Sequence, residues 1–176
     1  YTTLFRSITY SSNELITKLK SGLIDMTIMN LTNSNFGNDI EIIKCKEVHD
    51  VFVVNDSYKE LHDKKLSLID INNYPLILQS KGSNTRAFID DVCKSYGVIL
   101  KPNIELASYS LVVEFTKIGL GIGYVTYEYI TEELKKGTLK MLNIKETIPK
   151  RYIGIAISKN HIPNFSTKKL IEIITN

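Results

Sequence analysis

An α/β protein folded in two lobes is what the sequence predicts, and three features predict it. Apolar, strand-like runs alternate with helix-like segments of about 9 to 13 residues along the whole chain, the pattern of an α/β architecture. The block 75–142 holds enough strands and helices to close a lobe by itself. A last strand and helix follow it, at 152–157 and 166–174, and these complete a lobe begun at the other end of the chain. Two crossings between lobes make a hinge, and a cleft at a hinge is a usual place for a ligand.

Taken in order, 4–9 reads as a first strand. Ser11, Ser12 and Asn13 then cap a helix whose apolar side carries Leu15, Ile16, Leu19 and Leu23. Glu14 at its start and Lys18 and Lys20 toward its end suit the helix dipole. Gly22 ends this helix and 24–29 is the next strand, a strand-helix-strand unit that predicts parallel pairing. The Asn-, Ser- and Thr-rich stretch 30–38 is an exposed loop, 40–43 a short strand, and 48–54, with Val51-Phe52-Val53-Val54, a buried one. A polar stretch, 55–65, and a short helical turn within 66–73 lead to Pro75.

The second lobe repeats the alternation. Its strands are 76–79, 104–107 and 139–142, with 119–125 a turn entering a further strand. Its helices are 84–96 with Phe88, Ile89, Val92 and Cys93 inward, 110–118, and 127–136, with Gly97 and Gly137 as stops. In the closing helix Leu170, Ile171 and Ile174 point inward. Residues 1–54 thus give the first part of lobe I, 55–150 the crossover and lobe II, and 151–176 the segment that completes lobe I.

The segment Ser80-Lys81-Gly82-Ser83-Asn84-Thr85-Arg86 carries the most functional information. It leaves the strand Leu76-Ile77-Leu78 and enters a helix, so its small polar residues and the positive end of the helix form an anion-receiving turn. Ser83, Asn84 and Thr85 are the candidates for a carboxylate or other oxyanion. Arg86 pairs either with that anion or with Asp90 one turn on, and spacing leaves both open. Ser11, Ser12 and Asn13 form the corresponding turn of lobe I. Ser108, after the strand 104–107, reaches the cleft or caps the next helix with Ser110 as the alternative. The run Gly119-x-Gly121-x-Gly123 follows a helix and opens a strand, the reverse of a dinucleotide fingerprint. Its glycines allow close passage of backbone at a cleft wall, with Tyr124, Thr126 and Tyr127 at the border.

Other classes of function find less support. The net charge is +3, from 22 basic and 19 acidic residues without a block of like charge. Only three arginines are present, few for reading duplex nucleic acid. Cys45 and Cys93 stand far apart with no partner motif, so both are expected reduced. His49, His62 and His161 lack metal-ligand spacing. No nucleophile-base motif appears and no apolar run approaches the length of a membrane span. A soluble, reducing, cytoplasmic setting is expected, without cofactor, metal or membrane contact.

These pieces together resemble the effector-binding domain of LysR-type transcriptional regulators. The matching segments are Ser12-Asn13-Glu14-Leu15 with Leu19, Gly22 and Ile24-Asp25-Met26-Thr27-Ile28; Val51-Phe52-Val53-Val54; Pro75-Leu76-Ile77; Gly82-Ser83-Asn84-Thr85-Arg86; Gly119 to Val125; and Glu133-Leu134 with Gly137 and Leu139. The resemblance implies the two-lobed, type 2 periplasmic-binding-protein-like fold. The first lobe would lack the family's opening strand and helix. It implies a small, anionic effector in the interlobe cleft, held here by Ser11, Ser12, Asn13, Ser83, Asn84, Thr85, Arg86, Ser108 and Gly121. It also implies a homo-dimer or tetramer in the full-length protein, and DNA contact only through an N-terminal winged helix-turn-helix absent from this sequence. The alternative is a solute-binding protein of a transport system. An enzyme on the same scaffold, such as a dehydratase or deaminase, would need Thr85-Arg86 as part of a catalytic site.

Overall fold

The computed structural model describes residues 6–31 and 36–175. They divide into two compact units, one formed by Tyr1–Glu47 with Arg151–Asn176 and the other by Val48–Lys150. The expected first segment, 1–54, takes in a strand that belongs to the second unit's sheet. No helix among the described residues is long and apolar enough to cross a membrane.

The first unit contains α1 (Ser12–Lys20), β1 (Met26–Leu31), β2 (Ile40–Val48), β10 (Arg151–Ser158) and α5 (Phe165–Thr175). Its sheet has the order β1-β10-β2. Of the strand expected at 4–9, Leu4 and Phe5 lie outside the described residues, and 6–11 carry no strand. The parallel unit expected around α1 is therefore absent, and β1 pairs antiparallel with β10. The register sets Met29 opposite Gly154 and Thr27 opposite Ala156. Leu19 of α1 packs with Met29, Leu31, Ile40 and Ala156 in one core. Leu23 stays 71% exposed, outside the apolar side expected of it. In α5, Leu170, Ile171 and Ile174 are only half-buried, and Thr167 is the buried residue.

The second unit holds β3 (Asp50–Val54), β4 (Lys65–Leu66), β5 (Leu76–Gln79), β6 (Ile104–Leu106), β7 (Ile122–Thr126), β8 (Lys140–Met141) and β9 (Asn143–Ile144), with α2 (Asn84–Ser95), α3 (Tyr109–Lys117) and α4 (Thr131–Lys136). The main sheet runs β6-β5-β7-β3-β8. The pair β5–β6 and the pair β5–β7 are parallel, whereas β3 runs antiparallel to β7 and β8. A short parallel pair, β4–β9, stands apart. The helix expected at 127–136 is broken. A 3₁₀ turn, Tyr127–Tyr129, precedes α4, and the fully buried Ile130 between them has a non-helical backbone. Packing of that side chain into the core overrides the local helical pattern.

Alternation along the strands fills both faces of the main sheet. Leu76 and Leu78 join Phe52, Val54, Ile122 and Tyr124 beneath Ile89, Val92 and Cys93 of α2. Ile77 joins Val53 and Val125 beneath Val112 and Val113 of α3. Tyr124, expected at a cleft border, is core, its ring tilted against Phe52 at 4.9 Å. The two helices that follow β5 and β6 thus lie on opposite faces of the sheet.

Gly154 offers a test of the first unit. A Cβ placed there would meet the Leu31 side chain at 2.7 Å and the backbone oxygen of Ile43 at 2.6 Å. Gly154→Ala is expected to cost about 1–3 kcal/mol, the range for overpacking, seen as a lower urea midpoint with unchanged slope. An unaltered midpoint would contradict the register.

Candidate functional site

Because α2 and α3 leave adjacent parallel strands toward opposite faces, their first turns stand side by side at the carboxyl ends of β5 and β6, the end of an open α/β sheet where ligands bind. Gln79 ends β5 and pairs with Leu106 at the end of β6. The Ser80 N–H donates to the Leu106 carbonyl at 2.9 Å, fastening the two strand-to-helix turns side by side. The first turn closes through the Ser83 N–H donating to the Ser80 carbonyl at 3.2 Å, and Gly82, at φ 98°, takes the left-handed position this needs.

Ser83 is the N-cap of α2, its Oγ accepting from the Thr85 N–H at 3.2 Å. The same hydroxyl donates to Gln79 Oε1 at 3.0 Å. Asn84 and Thr85 are buried at the helix start. Arg86 is buried as well, and its guanidinium goes to protein groups. Nε donates to Asp90 at 2.8 and 3.0 Å, and one terminal nitrogen donates to Glu105 Oε2 at 2.9 Å and to the Gln79 carbonyl at 3.2 Å. Of the two partners left open for Arg86, Asp90 is therefore the one observed, with Glu105 of β6 beside it. Lys81 is exposed in the turn without an ion-pair partner among the described residues.

Ser108 occupies the N-cap position of α3, but its side chain makes no cap bond. It is exposed, so both the hydroxyl and the positive end of α3 are open to a ligand. The turn is held from the next residue. Tyr109 donates its hydroxyl to the Thr126 carbonyl at 3.1 Å, and its ring meets Tyr129 edge-on at 5.8 Å. Burial pushes the Tyr109 phenol well above its ordinary value, so it stays a donor. Thr126 in turn donates to the buried Asp50 at 2.7 Å. Gly121 is buried against Pro75, whose backbone a Cβ would strike, and so has a packing role beside β5.

In the first unit, Ser11 is the N-cap of α1 in a reciprocal capping box. Its hydroxyl donates to Glu14 at 2.6 Å, its N–H donates to the same carboxylate at 3.0 Å, and the hydroxyl accepts from the Glu14 N–H at 3.4 Å. The α1 terminus thus already holds a carboxylate of its own. Ser12 and Asn13 have no side-chain hydrogen bond among the described residues. A cavity in this unit runs along the edge strand β1, between Arg6, Leu15, Asp25 and Leu170, and none of Ser11, Ser12 and Asn13 lines it.

The sequence did not single out Gln79, although it touches Ser83 and, through its carbonyl, Arg86. Its position as the last residue of an apolar strand was the available signal. Cys93 is core, and burial, the largest cause, with Asp90 and Glu146 nearby pushes its thiol up to about 12. Among the described residues no group of three or more His, Cys, Asp or Glu could hold a metal ion.

Known structures place this α/β unit, with its two helix starts side by side at the carboxyl ends of β5 and β6. Over 94% of this chain the fold matches 78% of the regulatory domain of Synechocystis CcmR in complex with 2-PG, at TM-score 0.79 and 16% identity. It also matches 77% of the effector-binding domain of QuiR in complex with shikimate, at TM-score 0.78 and 22% identity, again over 94% of this chain. In sequence it is 24% identical to the HTH-type transcriptional activator CmpR of Synechocystis over 132 residues, 75% of this chain and 43% of that protein. The chain spans less than half the length of the curated relatives it matches. The family model of the LysR substrate-binding domain matches residues 5–176. The chain belongs to that family and is the effector-sensing domain of a LysR-type regulator.

Two expectations follow from the geometry. The Ser11 hydroxyl, first, and its backbone N–H hold the Glu14 carboxyl below its ordinary value of 4.5. Because the folded value is depressed, the stabilisation is complete above 4.5 and is lost as pH falls through the lower folded value. In Ser11→Ala the Glu14 carboxyl should titrate closer to 4.5 by NMR, and an unchanged titration would contradict the capping box. Arg86→Ala leaves a half-exposed carboxylate pair without its buried cation and should destabilise the domain by about 1–3 kcal/mol in chemical denaturation. A cost within error of zero would contradict the network.

Proposed function

We propose that the second unit receives the anionic group of a small metabolite at the carboxyl ends of β5 and β6. Ser108, the positive ends of α2 and α3, and the Ser83-Asn84-Thr85 turn form the receiving groups, and Lys81 adds positive charge. The carrying observation is that α3 begins at the carboxyl end of β6 with no side-chain cap, so its N-terminal donors and the Ser108 hydroxyl remain for a ligand. Ser12 and Asn13 make a second receiving turn, on the first unit. Arg86 and Gly121 support the site instead of touching the ligand. The effector is bound, not converted. Within the longer regulator we propose that a winged helix-turn-helix makes the DNA contacts and that the protein works as a homo-oligomer in the cytoplasm. The HTH-type name of CmpR supports the first of these, the helix-turn-helix.

Calorimetric titration of the domain with 2-PG, shikimate, inorganic phosphate and acetate tests the site. Saturable binding of at least one is expected, and Ser108→Ala with Ser83→Ala should weaken it by at least about tenfold, the effect of losing two hydrogen bonds to an anion. Binding of none of the four, or binding that the double substitution leaves unchanged, would contradict the proposal.

A further inference from the structure

We propose that Gln79 is a positioning residue that sets the direction of the Ser83 hydroxyl and turns its amide over when the turn accepts an anion. This rests on the receiving site proposed above. Ser83 has one hydroxyl proton, and that proton is given to Gln79 Oε1 at 3.0 Å. One lone pair accepts from the Thr85 N–H at 3.2 Å. In this state the hydroxyl has only acceptor capacity left, which suits a donor group and repels an anion.

A carboxamide presents an acceptor on one side and two donors on the other. With the Gln79 amide turned over, its NH₂ donates to Ser83 Oγ, which still accepts from Thr85, and the Ser83 proton is released toward the ligand. One hydrogen bond replaces another of the same kind, so the two states lie close in energy and a ligand selects between them. The backbone of Gln79 stays fixed meanwhile. It is paired in the sheet opposite Leu106, and the buried Arg86 donates to its carbonyl at 3.2 Å. The side chain is half-buried at the strand end. Rotation of one amide group, on a backbone held by a neutralised arginine, is all the change the turn requires.

Titration of the domain with inorganic phosphate, read by NMR and calorimetry, tests this. In the wild type the Gln79 carboxamide protons should shift downfield as they bond Ser83, and in Ser83→Ala they should not move. Gln79→Met, which removes both the lock and the support, should change the phosphate affinity by less than about threefold. Gln79→Glu, which only accepts, should weaken it by at least about tenfold, and by less when Ser83 is also alanine, as two coupled groups require. Carboxamide protons that stay still while the backbone amides of Ser83 and Asn84 move would overturn the Gln79 proposal and leave the site standing. Equal weakening by Met and Glu, or a Glu effect undiminished in Ser83→Ala, would overturn it likewise. No saturable phosphate effect at any of these groups would overturn the site and the proposal together.

Discussion

Parallel pairing of β5 with both of its neighbours is the constraint on which the rest of the second unit depends. A strand so placed is buried on both faces, and Leu76-Ile77-Leu78 supplies apolar side chains to each. The helix after β5 and the helix after β6 must then leave on opposite sides, which opens the sheet at its carboxyl end. The glycine run makes the arrangement possible. At Gly121 a side chain would strike the Pro75 backbone beside β5, and at Gly123 it would strike Thr116 of α3. Closeness of β7 to β5, and of α3 to β7, is what these glycines provide.

Charge at this edge is balanced within the protein. The guanidinium of Arg86 lies between Asp90 and Glu105, and the α1 terminus of the first unit holds Glu14. Of the two kinds of helix start present, the capped one in α1 is internally satisfied, and the uncapped one in α3 is open. In α1 the reciprocal box is completed by the side chain three residues after the cap. Glu14 reaches back to Ser11, whereas the third residue of α3 is Leu111, which has nothing to return. An anion received as proposed at the ends of β5 and β6 would be held by dipoles and neutral donors more than by a direct ion pair, and such groups are already oriented before it arrives.

Much of this was legible locally. The limits of β5, a cap for α1 within Ser11-Ser12-Asn13, and the stops Gly22, Gly97 and Gly137 follow from neighbouring residues alone, because caps and left-handed glycines act within one turn. The pairing of β1 was not legible. Its partner β10 lies at the far end of the chain, and a strand pattern says nothing of direction or of which distant run closes the ladder. Ile130 shows the same limit on a smaller scale, since burial among side chains from other elements broke a continuous helical pattern. Around Arg86, the partner one turn on, Asp90, was offered from sequence, whereas Glu105 and Gln79 were not. Glu105 reaches Arg86 from the next strand, and Gln79 looked like the last position of an apolar run. Only the parallel register of β5 and β6 brings these groups together.

The central claim is that ligand chemistry resides where β5 and β6 end. Amide chemical-shift mapping of the ¹⁵N-labelled domain, with 2-PG and with shikimate as added ligands, addresses it directly. The account predicts that the largest shifts fall on the amides of 80–85 and 107–110, with the middle of the main sheet undisturbed. Shifts concentrated instead along β1 and the cavity beside Leu15 and Leu170, with 80–85 and 107–110 unmoved, would contradict it.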